Sequence, residues 1–252
     1  MTTSIPNNDA KSRLIFALDI GDSYEEALSW VERLKDHVGM FKVGKEAFTL
    51  YGPRIVEAIQ SRGGRVFLDL KFHDIPNTVA RASEGAVKLG VGMFNLHASG
   101  GLKMMTEAVS AVKKASTDLD QPRPILLAVT ILTSLNDEDL TVLGFRQGTE
   151  EMVVLLATLA SKAGIDGVVC SPKDITAVRH ACGNNFLIVT PGVRGAAPVS
   201  GDDQKRTLSP REAIELGADY LVVGRPIRMA DDPVREADAI VEAIADSLSR
   251  RR

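Results

Sequence analysis

The sequence is short of cysteine, of net charge and of long apolar runs. Cys170 and Cys182 are the only thiols in 252 residues. No C-x-x-C pair or His/Cys cluster occurs, so the usual zinc spacings fail. Two thiols in a chain this long fit a reducing cytosol better than a disulfide scaffold. The formal net charge is -3, so no basic field exists to hold nucleic acid or an anionic membrane. The arginines at 250, 251 and 252 are too few to make a nucleic-acid site. An anion bound here has to be held by a few local groups. No stretch approaches the roughly 20 apolar residues of a membrane helix. Met1 to Ser12 is polar and lacks the apolar run of a signal peptide. The expectation is a cytoplasmic protein with neither nucleic acid nor membrane as partner.

What is present is ordinary in composition and regular in pattern. Hydrophobic residues make up 44% and charged residues 25%, as in soluble globular proteins. Short apolar, β-branched runs recur along the chain, at Leu14–Asp19, Met40–Gly44, Arg65–Lys71, Met93–Ala98, Ile125–Thr133, Gly167–Ser171, Phe186–Val193 and Tyr220–Arg225. Between them lie segments with helical spacing of apolar residues: Tyr24–His37, Ala47–Arg62, Val79–Leu89, Leu102–Ala115, Thr149–Ala163 and Pro233–Leu248. Strand-helix alternation implies a parallel sheet, because a helical crossover returns the chain to the same end. Eight such units in a chain of this length predict an α/β fold, a single (β/α)8 barrel. A doubly wound open sheet is the runner-up, but no Gly-x-Gly-x-x-Gly follows the first strand. Residues 1–12 are expected to be a flexible N-terminal segment and 13–250 one catalytic domain. The long loop 195–207, after the seventh strand, has the length of a lid.

Polar residues gather at the ends of these apolar strands. Asp19 ends the first and Lys42 lies near the end of the second. Asp69 and Lys71 end the third and His97 the fourth. Thr133 and Ser134 follow the fifth, and Gly224 and Arg225 close the eighth. In a barrel all of them converge on the C-terminal mouth, where active sites of this fold lie. Any one of them alone reads as a solvated rim residue; the set reads as a site.

The sharpest segment is Asp69-Leu70-Lys71-Phe72-His73-Asp74-Ile75-Pro76-Asn77-Thr78. Strand side chains alternate with period two, so Asp69 and Lys71 share a face while Leu70 points to the helices. Asp74 lies past the strand, free to project toward a neighbouring subunit. Pro76 suits the first turn of a helix. A lysine between carboxylates stays protonated, which makes it a poor Schiff-base nucleophile and a suitable partner for a carbanion that needs a proton. The plain alternative for this segment is a salt-bridged barrel mouth.

Asp69-x-Lys71-x-x-Asp74-Ile75-Pro76-x-Thr78 resembles the signature of the orotidine 5′-phosphate decarboxylase family, of bacterial type. The resemblance extends over residues 13 to 245. It includes Phe16-Ala17-Leu18-Asp19, Phe41-Lys42-Val43-Gly44, Asn95-Leu96-His97-Ala98, Leu132-Thr133-Ser134 and Thr190-Pro191-Gly192-Val193-Arg194. It continues through Asp203-Gln204-Lys205-Arg206 to Val223-Gly224-Arg225-Pro226-Ile227. The Asp-x-Lys-x-x-Asp core is shared with related sugar-phosphate barrels; the Ile-Pro-x-Thr extension and the other motifs in order make it specific.

The resemblance implies conversion of orotidine 5′-monophosphate to uridine 5′-monophosphate and carbon dioxide without a cofactor or metal. It implies a homodimer with shared active sites. By resemblance, Lys71 stabilises and protonates the C6 carbanion inside a Lys42-Asp69-Lys71-Asp74 network. Asp74, Ile75 and Thr78 act across the dimer interface. Asp19 and Lys42 hold ribose hydroxyls, and Thr133 and Ser134 contact the pyrimidine. Pro191 joins the substrate-binding set. Arg194, Gln204, Gly224 and Arg225 serve the phosphate, with Gln204 on the lid. A magnesium-dependent lyase or synthase of the same barrel superfamily is the nearest rival; those families carry an acidic residue where Lys42 stands. A non-catalytic nucleotide-phosphate binder is a second rival, which would not need the Asp69, Lys71 and Asp74 set. His73 reads as solvent-facing, His97 as a packing histidine, Cys170 as core, and Trp30, with Ala27 and Leu34 at helical spacing, as a core contact. Cys182, beside Gly183, has no support for a thiol role.

Overall fold

The structure, a computed structural model, describes residues 10–20, 23–193 and 208–250. Among the described residues eight parallel strands pair in chain order, and β8 closes on β1. They are β1 (Leu14–Ala17), β2 (Met40–Gly44), β3 (Val66–Phe72), β4 (Met93–His97), β5 (Ile125–Val129), β6 (Gly167–Val169), β7 (Leu187–Pro191) and β8 (Tyr220–Val223). The barrel expected from the alternation is the barrel found.

Period two along the strands divides two cores. Ile15, Ala17, Met40, Phe67, Met93, Ile125, Leu127, Val189, Tyr220 and Val222 fill the barrel interior. Their neighbours Leu14, Phe16, Phe41, Val43, Val66, Leu68, Phe94, Leu126 and Leu221 face outward into a second, larger core under the helices. A strand buried on both faces has no polar side, which is why these runs are nearly continuous in apolar residues.

The helices are α1 (Tyr24–Leu34), α2 (Lys45–Tyr51), α3 (Pro53–Gln60), α4 (Pro76–Lys88), α5 (Gly101–Asp118), α6 (Asp137–Val142) and α7 (Thr149–Ala163). The series continues with α8 (Ile175–Cys182), α9 (Pro210–Leu216), α10 (Arg225–Arg228) and α11 (Pro233–Arg250). The longer helices present an apolar stripe; α1 buries Ala27, Val31 and Leu34 at spacings of four and three. Burying a side chain such as Leu34 contributes roughly 1.5–3 kcal/mol. Trp30, on the flank of that stripe, stacks on Phe16 with centroids 5.7 Å apart.

Boundaries of two kinds differ from the sequence expectation. The segment 47–62, expected as one helix, is broken at Gly52, whose φ of 60° is left-handed. Pro53 supplies no N–H and would clash with the preceding turn, so the chain restarts there as α3. Several strands also stop short of their expected ends. β1 ends at Ala17 rather than Asp19, β5 at Val129 rather than Thr133, and β8 at Val223 rather than Arg225. Thr133, beyond the end of β5, has left the ladder and lines a cavity at the mouth.

Candidate active site

A cavity of ≈ 230 Å³ opens at the C-terminal mouth. Its polar lining is Lys42, Asp69, Lys71 and Thr133; Ile131, Leu132, Pro191, Val222, Phe67 and Cys170 form its apolar wall and floor. Cys170 is 1% exposed, and burial pushes its thiol far above the ordinary range. It is an inert part of the floor.

The charged centre is built by β1, β2 and β3. Lys71 Nζ lies 2.6 Å from Asp69 Oδ1, and Lys42 Nζ lies 3.4 Å from Asp69 Oδ2 and 2.8 Å from Asp19 Oδ1. Burial opposes the charge of Lys42, but Asp19 and Asp69 outweigh it and hold its ammonium above the usual lysine value. Gly44 lets this pair sit close to β2. A Cβ there would lie 3.0 Å from Asp19 Oδ1 and 3.1 Å from Lys42 Nζ.

Asp69 and Lys71 meet as the period-two reading expects, but not on a regular strand. Between the pairs Leu68↔Phe94 and Phe72↔Leu96, β3 carries Asp69, Leu70 and Lys71 where β4 carries Asn95 alone. The excess residues bulge, as strands do beside active sites. Lys71 takes a φ of 53°, a left-handed conformation that costs a non-glycine residue roughly 1–2 kcal/mol.

Asn95 is a residue whose role sequence reasoning missed. It is 1% exposed. Its Nδ2 donates to Asp69 Oδ1 at 2.7 Å, and its Oδ1 accepts the Lys71 N–H at 2.8 Å. The signal was an amide inside the apolar run Met93-Phe94-Asn95-Leu96, since a buried amide demands partners. Arg228 was missed as well; its Nη1 donates to the Asp19 carbonyl at 2.7 Å and ties α10 to the end of β1.

The remaining described candidates follow the C-terminal ends of β3, β5 and β8. Asp74 is exposed and accepts the Ile75 N–H at 2.6 Å. Among the described residues it makes no ion pair, so one chain alone does not join it to Lys71. Ile75 is 66% exposed, and Thr78, on the first turn of α4, is exposed too. Pro76 opens α4 as expected. Ser134 is exposed beside Thr133. Gly224 and the half-buried Arg225 lead from β8 into the short helix α10. A Cβ on Gly224 would come within 3.1 Å of Ala17 Cβ. Arg194, Gln204 and the loop 195–207 lie outside the described residues.

His73 is solvent-exposed and packs against His97 with ring centroids 5.3 Å apart. Burial pushes His97 down to about 4, helped by the charges of His73, Lys45 and Lys71. Among the described residues no group of three His, Cys, Asp or Glu side chains is placed to hold a metal ion. No helix among them is long and apolar enough to cross a membrane.

This geometry has relatives. Residues 12–240 match the model of the orotidine 5′-phosphate decarboxylase / HUMPS family. The orotidine 5′-phosphate decarboxylase of Syntrophus aciditrophicus (strain SB) is 59% identical over 251 residues, 100% of both chains. That of Pelobacter propionicus is 56% identical over 237 residues, covering 94% of this chain and 97% of the relative. The crystal structure of orotidine 5′-phosphate decarboxylase from Lactobacillus acidophilus superposes with a TM-score of 0.79 at 37% identity. That match covers 93% of this chain and 98% of the other. Barrel, motif order and likeness along the whole chain agree, and the chain belongs to the orotidine 5′-phosphate decarboxylase family.

Proposed function

We propose that this chain, a carboxy-lyase by family membership, converts orotidine 5′-monophosphate to uridine 5′-monophosphate and carbon dioxide, with Lys71 as the proton donor. The reaction is the last step of de novo uridine monophosphate synthesis, and the reading places it in the cytoplasm with no cofactor or metal.

The observation that carries the reading is the position of Lys71. Its ammonium sits at the cavity lining, 2.6 Å from Asp69, with Thr133 and Pro191 on the same lining. When the C6–carboxylate bond breaks, its electron pair stays on C6 in the plane of the ring. That pair cannot spread into the ring π system, so fixed charge has to stabilise it. The Lys71 ammonium supplies that charge and then its proton to C6, and the neutral amine regains a proton from solvent. Asp69 holds the ammonium in place and lies near the departing carboxylate.

Substrate binding divides among the other residues. Asp19 and Lys42 take the ribose hydroxyls, together with Thr78 of the partner subunit. Thr133 and Ser134 take the pyrimidine, and Pro191 packs against it. Gly224 and Arg225 offer backbone N–H groups and a planar guanidinium to the phosphate, at the corner of the barrel where phosphates bind; Arg194 and Gln204 complete that site. Asp74 and Ile75 serve the neighbouring active site of a homodimer, which accounts for their exposure in a single chain. Phosphate binding far from C6 supplies energy that orients the ring.

The test is the ultraviolet absorbance of orotidine 5′-monophosphate with purified protein in excess EDTA, beside Lys71→Ala. Conversion by the wild type and none by the variant is the expected result. No turnover in EDTA, with turnover of a sugar phosphate on adding magnesium, would move the chain to the metal-dependent branch of the superfamily.

A further inference from the structure

We infer that Asn95 is a positioning residue for the decarboxylation, its carboxamide holding the backbone of Lys71 and the carboxylate of Asp69 in one rigid fork. This role rests on the reading of Lys71 as proton donor.

The bulge in β3 makes the role necessary. Opposite Asp69-Leu70-Lys71 the neighbouring strand offers Asn95 alone, so the regular ladder cannot satisfy the backbone there. The Asn95 side chain does so instead, its Oδ1 accepting the Lys71 N–H at 2.8 Å. That hydrogen bond is made at the residue with the left-handed φ of 53°. The other edge of the same planar group donates to Asp69 Oδ1 at 2.7 Å, the oxygen that Lys71 Nζ approaches at 2.6 Å. The orientation of the amide follows from its partners. A backbone N–H can only donate and a carboxylate can only accept, so oxygen faces Lys71 and nitrogen faces Asp69.

Few other side chains could replace it. Leucine has similar bulk and leaves both partners unmade. Aspartate keeps the acceptor for the Lys71 N–H but sets a second carboxylate against Asp69. Glutamine carries both groups one methylene too far out. At 1% exposure, solvent does not fill the gap. The charged groups already facing Asp69 are Lys42 from β2 and Lys71 from β3, with the titratable His97 at the end of β4; Asn95 adds polarity there without charge.

The experiment is steady-state kinetics on orotidine 5′-monophosphate across pH for wild type, Asn95→Leu and Asn95→Asp. Folding is checked by circular dichroism and uridine 5′-monophosphate binding by calorimetry. Asn95→Leu should lose roughly 100-fold in kcat, the scale of an ångström-sized misplacement. Its KM and product affinity should hold within about twofold, because uniform binding is untouched. Asn95→Asp should move the acid limb of kcat to higher pH by about one unit or more, because adjacent carboxylates resist joint ionisation. A folded Asn95→Leu with wild-type kcat, or one whose product affinity falls as far as its kcat, would overturn the role. If Asn95→Leu does not fold, Asn95→Asp decides: an unmoved acid limb sinks the idea. A wild type inactive on this substrate would fail the functional reading itself, a result distinct from an active wild type matched by its variants.

Discussion

Lys42 Nζ stands 3.4 Å from Asp69 Oδ2, across from the Lys71 ammonium that touches the other oxygen of the same carboxylate. Asp69 is thus clamped between cations from two strands, and Lys42 in turn is shared with Asp19. With its value raised, Lys42 contributes stability that is fully present below the unfolded lysine value and is lost only as pH climbs past the folded one. Lys42→Met should abolish most turnover and remove about 1–3 kcal/mol of stability by taking one of its two cations from the buried Asp69 carboxylate. Urea unfolding at neutral pH checks the second part. An unchanged midpoint would mean that the pair is held by the fold rather than helping to hold it.

Gly44→Ala separates function from folding. Gly44 has φ -85° and ψ -179°, an extended conformation open to any residue. The backbone therefore tolerates alanine. The new methyl would press on Asp19 Oδ1 and Lys42 Nζ. The expected result is an unchanged thermal midpoint with kcat/KM for orotidine 5′-monophosphate lowered roughly tenfold or more, since small misplacements of binding groups are costly. Wild-type kcat/KM in the variant would show that the Asp19–Lys42 pair shifts without consequence.

The exposure of Asp74, Ile75 and Thr78 leads to a subunit-exchange prediction. Lys71→Ala and Asp74→Ala should each be inactive alone. Mixed and allowed to re-pair, they should regain roughly a quarter of wild-type activity, because half of the randomly formed dimers are hybrids with one intact site. Ile75→Asp should weaken the dimer, read by analytical ultracentrifugation, and lose activity with it. No recovery on mixing, under conditions where exchange is seen, counts against the shared site.

His97 makes the stability depend on pH. Its folded value is lowered to about 4, below the ordinary histidine value of about 6.5. As pH falls between those two values the unfolded chain takes up a proton that the folded chain refuses. Stability is therefore lost on acidification through that window and is fully kept above it. His97→Asn should lose less thermal stability than the wild type between about pH 6.5 and pH 4, followed by scanning calorimetry. Parallel curves for the two proteins would assign the acid sensitivity elsewhere.

The fold was legible because its signals are local. Leu14-Ile15-Phe16-Ala17 and Tyr220-Leu221-Val222-Val223 announce strands buried on both faces by composition alone. The segment Thr149–Ala163 reads as a helix at its observed bounds, from an apolar pattern closed by Gly164 in the left-handed conformation. The break at Gly52-Pro53 was also written in the sequence, in a dipeptide that ends helices; the apolar spacing on either side of it concealed the break.

Composition, strand-helix alternation and the ordered motifs from Asp19 to Arg225 settled the barrel and the family. They did so because hydrophobic burial has a period and a motif is a matter of residue spacing. Only the tertiary structure decided how Asp69 and Lys71 come together. A period-two reading assumes a regular ladder, and the bulge depends on what lies opposite in β4, 24 residues beyond Lys71. Asn95 and Gly44 are ordinary letters in the chain. One acquires its role from a backbone N–H and a carboxylate brought to it by folding, the other from the space it leaves for Asp19 and Lys42. Hydrogen bonds and excluded volume act through distance in space, and that distance is not a property of sequence separation.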